Sequence, residues 1–250
     1  MESLITVIIP VYNHAAAFRR SWRSLMAQVY RPLEVIIIDD GSSDDIESAL
    51  REAKEELAGK ADSSKVTLQI IKQKNQGAAA ARNRGWQEAR KGEFVIFWDA
   101  DTLAPRDMLA KMKKQLDESP VAAYAYASYR FGWKIMKSQP FAADRLKRVN
   151  YIDTTALIRS EVLMDLARPF DETLQRFQDW DLWLTLLEQE KKGIFTPDLL
   201  YTKIVHGRKG YSQWLPKWVY YLPWKTKKVY AYEAAREIVL RKHHLFSASG

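Results

Sequence analysis

The chain is predicted to be an α/β protein built on a mostly parallel sheet with helices on both faces. Two observations predict it. Strand-like runs that read as nearly all apolar alternate with helix-spaced segments through the first half of the chain. Polar clusters then fall where three of those runs end. Sheets of this kind bind ligands beyond the carboxyl ends of their strands, so the clusters mark the expected site.

Leu4–Ile9 is a continuous apolar run that ends at Pro10, Tyr12 and Asn13. Ala15–Gln28 then sets Phe18, Trp22, Leu25 and Met26 on one side at helical spacing. A second strand, Leu33–Ile38, runs into Asp39-Asp40-Gly41, and Gly41-Ser-Ser-Asp44 offers N-cap residues for a helix near 45–57. Val66–Ile71 reads as a third strand and Ala78–Arg90 as a third helix. Phe94–Phe97 is the fourth strand, closed by Asp99-Ala-Asp101; Pro105 suits the first turn of a helix over Arg106–Leu116. Past residue 120 the segments become shorter and more mixed. Ala122–Tyr129 and Tyr151–Ile158 read as strands, and Asp179–Leu187 as an apolar-rich helix with an acidic start. Capping alone would account for Asp179 and Asp181.

Asp99 and Asp101 are the most informative pair. Carboxylates at i and i+2 of a strand would share one face, and burying two charges together is costly, so the chain is expected to bend and present them at the sheet's edge. A hard cation such as Mg²⁺ takes one or two carboxylates and completes its shell with substrate phosphates. A solvated acidic turn would have the same sequence. The glycine-rich phosphate loops are missing: neither G-x-G-x-x-G after the first strand nor G-x-x-x-x-G-K-[ST] occurs. A dinucleotide dehydrogenase and a P-loop nucleotidase are therefore poor fits, and a bound nucleotide's phosphates would be met by a metal.

Composition bounds the rest. The 250 residues are 47% hydrophobic and 28% charged, ordinary for a globular chain of one large domain or a domain with an appendage. Without cysteine, disulfides, thiolate zinc sites and cysteine nucleophiles are excluded. Met1-Glu-Ser-Leu lacks a basic start and no apolar run approaches the roughly 18 residues of a spanning helix, so a cytoplasmic protein is expected. The net charge of +8 lies wholly in residues 203–250, which hold ten Lys/Arg and two Glu. Those residues also include Trp214, Trp218 and Trp224. Two readings of this extension stand side by side: a helix packed on the main domain with a solvated basic side, or a peripheral contact with an anionic membrane surface through residues 212–250 on the inner face. No nucleic-acid-binding module is recognisable.

Taken in order, Ile5-Thr-Val-Ile-Ile-Pro-Val-Tyr-Asn13, Glu34-Val-Ile-Ile-Ile-Asp-Asp-Gly-Ser-Ser-Asp44, Asn75-Gln-Gly77 with Ala81-Arg-Asn83, Phe97-Trp-Asp-Ala-Asp101, and Phe170-Asp-Glu172 before Asp179-Trp-Asp-Leu-Trp183 resemble the inverting family-2 glycosyltransferases of GT-A fold. The resemblance spans roughly residues 4–206. It implies a GT-A domain over residues 1–210, with a nucleotide-binding half (1–118), an acceptor half (119–210) and a C-terminal extension (211–250). It also implies transfer of a sugar from a nucleotide-diphosphate sugar, UDP favoured, to a glycan or lipid-linked acceptor hydroxyl. Pro10 and Tyr12 would line the base pocket, and Asp40 would accept a hydrogen bond from the base edge. Arg82 would lie near the nucleotide, with Asp99 and Ala100 beside the ribose and metal shell. Asp101 would ligate Mg²⁺ or Mn²⁺, His206 would touch metal or diphosphate, and Asp179 would be the catalytic base. Gln178, Trp180 and Asp181 would lie on the acceptor side.

Two positions depart from the family pattern: Gln178 where Glu is usual, and Thr185 where Arg is frequent. Rival readings are a metal-dependent sugar nucleotidyltransferase, whose glycine-rich basic first loop is absent here, and a non-catalytic nucleotide- or lipid-binding protein.

Overall fold

A computed structural model describes residues 2–89, 92–204 and 226–245. Four strands, β1 (Ile5–Val11), β2 (Leu33–Asp39), β3 (Val66–Lys72) and β4 (Phe94–Phe97), run parallel in the order β3-β2-β1-β4. Both faces of this half are covered, which is why β2 is buried along its whole length and its sequence does not alternate. The one buried polar pair at its start is satisfied internally: Thr6 Oγ1 donates to Glu34 Oε2 at 2.8 Å.

Helices α1 (Ala15–Met26), α2 (Ile46–Ala58) and α4 (Met108–Glu118) cover one face, and α3 (Ala78–Glu88) and α6 (Gln178–Glu188) the other. A short α5 (Ala143–Leu146) joins the second face through Leu146. Close approach of α3 to the sheet depends on Gly85, where a Cβ would come within 2.3 Å of Ile8 Cγ2. One expected cap is used differently. Asp44 does not cap α2; its Oδ2 accepts the Ala15 N–H at 2.8 Å and so caps α1 from another loop. α1 starts after His14 without a side-chain cap of its own, and the β2 loop supplies it.

The second half of the sheet is mixed. It holds β5 (Thr102–Leu103), β6 (Ala122–Phe131), β7 (Lys134–Met136), β8 (Leu157–Arg159) and β9 (Lys192–Lys203) in the order β4-β8-β6-β9-β5, with β7 paired to β6. β8 is antiparallel to β4 and β6, whereas β6 and β9 are parallel. β5 follows β4 after only four residues, yet pairs with β9 at the far end of this row. The row must therefore curl back, and the 98–101 link spans its mouth.

The strand expected over Tyr151–Ile158 is mostly irregular, with strand beginning only at Leu157. Here side chains divert the backbone from a ladder: Asp153 Oδ2 accepts Thr155 N–H at 3.1 Å, and the Ile152 carbonyl accepts Trp183 Nε1–H at 3.0 Å.

The last described helix, α7 (Lys227–Lys242), buries Val229, Val239 and Leu240, and Thr226 accepts the Val229 N–H at 3.4 Å as its N-cap. Ion pairs lock its end to α6. Lys242 Nζ lies 2.7 Å from Asp171 and 2.9 Å from Asp181; His243 Nε2 lies 2.9 Å from Asp181 and Nδ1 2.8 Å from Glu188. The described part of the extension thus packs on the domain, while Trp214, Trp218 and Trp224 lie outside the described residues. Among the described residues no helix is long and apolar enough to cross a membrane.

Candidate active site

The site begins at the turn after β4. Trp98 is buried and donates Nε1–H to Ser21 Oγ at 2.8 Å, while Thr102 N–H bonds the Asp99 carbonyl at 2.9 Å and closes the turn. Ile204 N–H bonds the Asp101 carbonyl at 3.0 Å, joining the turn to the end of β9. The bend expected from adjacent-but-one carboxylates is therefore present.

Asp99 is gripped by two cations. Its Oδ1 accepts Arg82 Nη2–H at 2.7 Å and its Oδ2 accepts Lys203 Nζ–H at 2.7 Å. Burial opposes its ionisation, but Lys203 and Arg82 outweigh burial and hold the carboxyl well below the usual range. Asp101 is the opposite case. Burial, followed by the charge of Asp99, pushes its carboxyl up to about 6. No salt bridge reaches it among the described residues, although Lys203 acts on it at longer range. A carboxylate presented in this way suits a divalent cation, which would supply the missing positive charge. The described residues hold no group of three or more ligating side chains; Mg²⁺ sites commonly rely on one or two carboxylates and substrate oxygens. His206 lies outside the described residues.

Asp179 stands in the first turn of α6, after Phe177 in the left-handed region (φ 62°). Its N-cap residue, Phe177, makes no side-chain cap bond, but the Asp179 carboxylate itself accepts the first-turn Trp180 N–H at 2.9 Å. Burial, followed by the nearby charge of Asp153, pushes the Asp179 carboxyl up to about 6, against the opposing hydrogen bonds of Asn150 and Trp180 N–H. Between the two carboxylate regions runs Arg82. Its Nη1 donates to Gln178 Oε1 at 3.1 Å while Nη2 holds Asp99, so one guanidinium joins the turn to the start of α6.

At the end of β1, Pro10 is half-buried, and Tyr12, just past Val11, is 49% exposed. Asp40 is buried, accepting Gln73 Nε2–H at 2.7 Å and the Gln76 and Gly77 N–H groups at 2.8 Å. Three donors leave about one acceptor position free on a carboxylate. Ala100 is buried in the turn.

Trp180 and Asp181, expected on the acceptor side, face inward. Trp180 is buried with Nε1–H on the Leu146 carbonyl at 2.6 Å, and Asp181 is buried against Lys242 and His243. The reason is helical geometry: residues following Asp179 turn away by about 100° each.

Three contributors went unnoticed in the sequence. Lys203 ends β9 and bonds Asp99 and Asp153; Asp153 and Asn150 act on Asp179. Asn83, already present in the Ala81-Arg-Asn83 motif, fixes the approach to α6, donating Nδ2–H to Phe170 O and Glu172 Oε1, each at 2.8 Å, and accepting Phe170 N–H at 3.0 Å. A signal for Lys203 was available: it is a lone cation closing the apolar stretch Leu199-Leu-Tyr-Thr.

With this geometry in view, comparison with known proteins is informative. Residues 6–166 match the profile described as Glycosyl transferase family 2. The chain belongs to this family. An uncharacterized glycosyltransferase of Rickettsia felis is 31% identical over 219 residues, covering 82% of this chain and 34% of the relative. One from Haemophilus influenzae is 26% identical over 196 residues, covering 76% of this chain and 74% of the relative. This family-2 chain spans about a third of the length of its Rickettsia relatives. Among solved structures, S. aureus TarS 1–349 in complex with UDP superposes with a TM-score of 0.65 at 19% identity, over 98% of this chain and 73% of that one. A Pyrobaculum calidifontis mannosyltransferase in complex with GDP-Man and Mn²⁺ gives 0.63 at 21% identity, over 99% and 71%. These likenesses identify the fold as GT-A.

Proposed function

We propose that this chain transfers a sugar from a nucleotide-diphosphate sugar, with UDP the favoured nucleotide, to an acceptor hydroxyl with inversion at the anomeric carbon. One observation carries the reading: a carboxyl with a raised pKa, Asp179, is joined through Gln178 and Arg82 to the Asp99–Asp101 turn. Family membership, together with relatives of the same fold seen with UDP or with GDP-Man and Mn²⁺, supports a nucleotide-sugar donor.

In this mechanism Tyr12 offers a ring face to the base and Asp40 its remaining acceptor position to the base edge. Asp101 would hold Mg²⁺ or Mn²⁺, and such an ion stabilises the charge that develops on a departing diphosphate. Arg82 and Lys203 keep Asp99 ionised and in place behind it. Asp179 takes the acceptor hydroxyl's proton as that oxygen attacks, a task for which a pKa of about 6 is well matched at neutral pH. One displacement without a covalent intermediate inverts the configuration. A glycan or lipid-linked alcohol is the acceptor class.

Replacing Asp179 with Asn tests the assignment. UDP-sugar turnover is expected to fall by roughly 10²–10⁴-fold, the range for loss of a general base. UDP affinity measured by calorimetry with Mn²⁺ stays within about twofold, since the base contributes little to ground-state binding. Wild-type turnover in Asp179→Asn would remove this base; absence of Asp179-dependent UDP-sugar turnover in the wild type would favour a binding protein.

A further inference from the structure

The ammonium of Lys203 is fully committed. Its three N–H groups are matched by three oxygens: Asp99 Oδ2 at 2.7 Å, Asp153 Oδ1 at 2.8 Å and Asp153 Oδ2 at 2.7 Å. The Lys203 and Asp153 side chains are each only 9% exposed. Asp153 receives two more donors on Oδ2, Tyr201 O–H at 3.0 Å and Thr155 N–H at 3.1 Å. Its Oδ2 is thus saturated by protein donors, and its Oδ1 is held by the Lys203 ammonium. Asp179, by contrast, is bonded among the described residues by Asn150 and the Trp180 N–H. Two carboxylates of one site are therefore held in opposite states, one closed and one open.

We propose that Lys203 is a positioning residue: by closing Asp153 into an ion pair anchored on Asp99, it leaves Asp179 as the carboxylate able to receive the acceptor's proton. The inference rests on the base assignment above and deepens it. Lys203 has no N–H left for a phosphate, so its role is exerted through the two aspartates. Its ammonium also lies 5.5 Å from the Tyr129 ring, which stacks on Tyr201 at 5.1 Å and 4°. These rings flank the pair, and Tyr201 is itself buried.

Among the described residues, Asp153, Lys203 and Tyr129 act on Asp179, with Asn150 and Trp180 N–H bonded to it. Gln178 beside it is bound to Arg82. Removing the charges in turn gives opposite signs. Asp153→Asn deletes a like charge and lowers the midpoint at which Asp179 titrates; Lys203→Met deletes an opposite charge, frees Asp153, and raises it.

The test is carboxyl ¹³C NMR of the full chain labelled at aspartate, with the Asp179 signal identified by its loss in Asp179→Asn. Downward movement in Asp153→Asn and upward movement in Lys203→Met, each by about half a unit or more, are expected. Lys203→Arg, which keeps the charge, is expected to return the midpoint toward wild type. Midpoints unmoved in both charge-deleting variants, or moved in the same direction, would overturn the proposal. Should Lys203→Met not fold, the near-isosteric Asp153→Asn decides alone: a downward shift supports the pairing role and an unmoved midpoint refutes it. Turnover retained in Asp179→Asn would defeat the base assignment without altering these midpoints, so the two failures are told apart.

Discussion

The two halves of the molecule build their parts of the site in different ways. In the parallel half of the sheet, proposed to bind the donor, each candidate contribution is a short contiguous block at the end of a strand: Pro10 to Tyr12, Asp39 to Gly41, Asp99 to Asp101. Strand and ligand-facing groups are neighbours in the chain, so folding the strand places the groups. In the mixed half, proposed to receive the acceptor, single residues come from unrelated places. Asp153 sits in irregular chain before β8, Lys203 at the end of β9, and Asp179 in the first turn of α6. Nothing local aligns them; the curl of β6, β8 and β9 does. Parallel sheets bind at their strand ends by construction, whereas a mixed, curled sheet must hold its site together with side-chain bonds.

Asp101→Ala gives the largest effect expected from this contrast outside the base itself. It deletes a donor-half group without a salt bridge among the described residues, and Mn²⁺-dependent UDP affinity is expected to drop by roughly 100-fold or more, as for loss of a metal ligand. Calorimetry with and without Mn²⁺ measures it. Equal affinities in wild type and variant would mean that the donor half does not bind through this turn.

Asn83→Ala probes the seam between the halves. It strips three hydrogen bonds and leaves the Phe170 N–H and C=O buried without partners, at a cost of about 2–3 kcal/mol. Urea unfolding checks the stability. If the halves are coupled here, turnover falls further than stability explains, because the 170–172 loop leads into α6; unchanged turnover in the folded variant would separate them.

Asp179→Asn has the smallest expected effect on stability, and it is a gain. The carboxyl titrates at about 6 in the fold but near 4 when unfolded, so the folded state binds the extra proton between those values. The stability of the protonated form is full below about pH 4 and is lost as pH rises through about 6. An amide keeps the uncharged state, and thermal unfolding is expected to show a gain of ~1–2 kcal/mol at pH 8 and none at pH 4. A variant no more stable than wild type at pH 8 would mean that burial does not strain this carboxylate.

Legibility in the sequence follows the same division. Phe94–Phe97 was readable to the residue, because a buried parallel strand needs uninterrupted apolar side chains. Tyr151–Ile158 was misread, since its apolar residues pack beneath α6 while Asp153 bends the backbone. The stretch Gly41-Ser-Ser-Asp44 offers N-cap residues for the helix that follows it, but Asp44 caps α1 instead, because the N–H it satisfies lies 29 residues away. Lys203 was counted as one more positive charge of a basic extension, although it is buried in the site.

The sequence alone determined the parallel half-sheet, the bend at Asp99–Asp101 and the membership that its motifs signal, because periodicity and adjacent carboxylates act over a few residues. Tertiary structure alone decided that Lys203 meets both Asp99 and Asp153, that Arg82 reaches Gln178, and that Asp181 serves α7. Those pairings depend on how the sheet curls and on which side of a helix faces inward, and charges separated by 50 to 104 residues acquire partners only when the fold brings them within 3 Å.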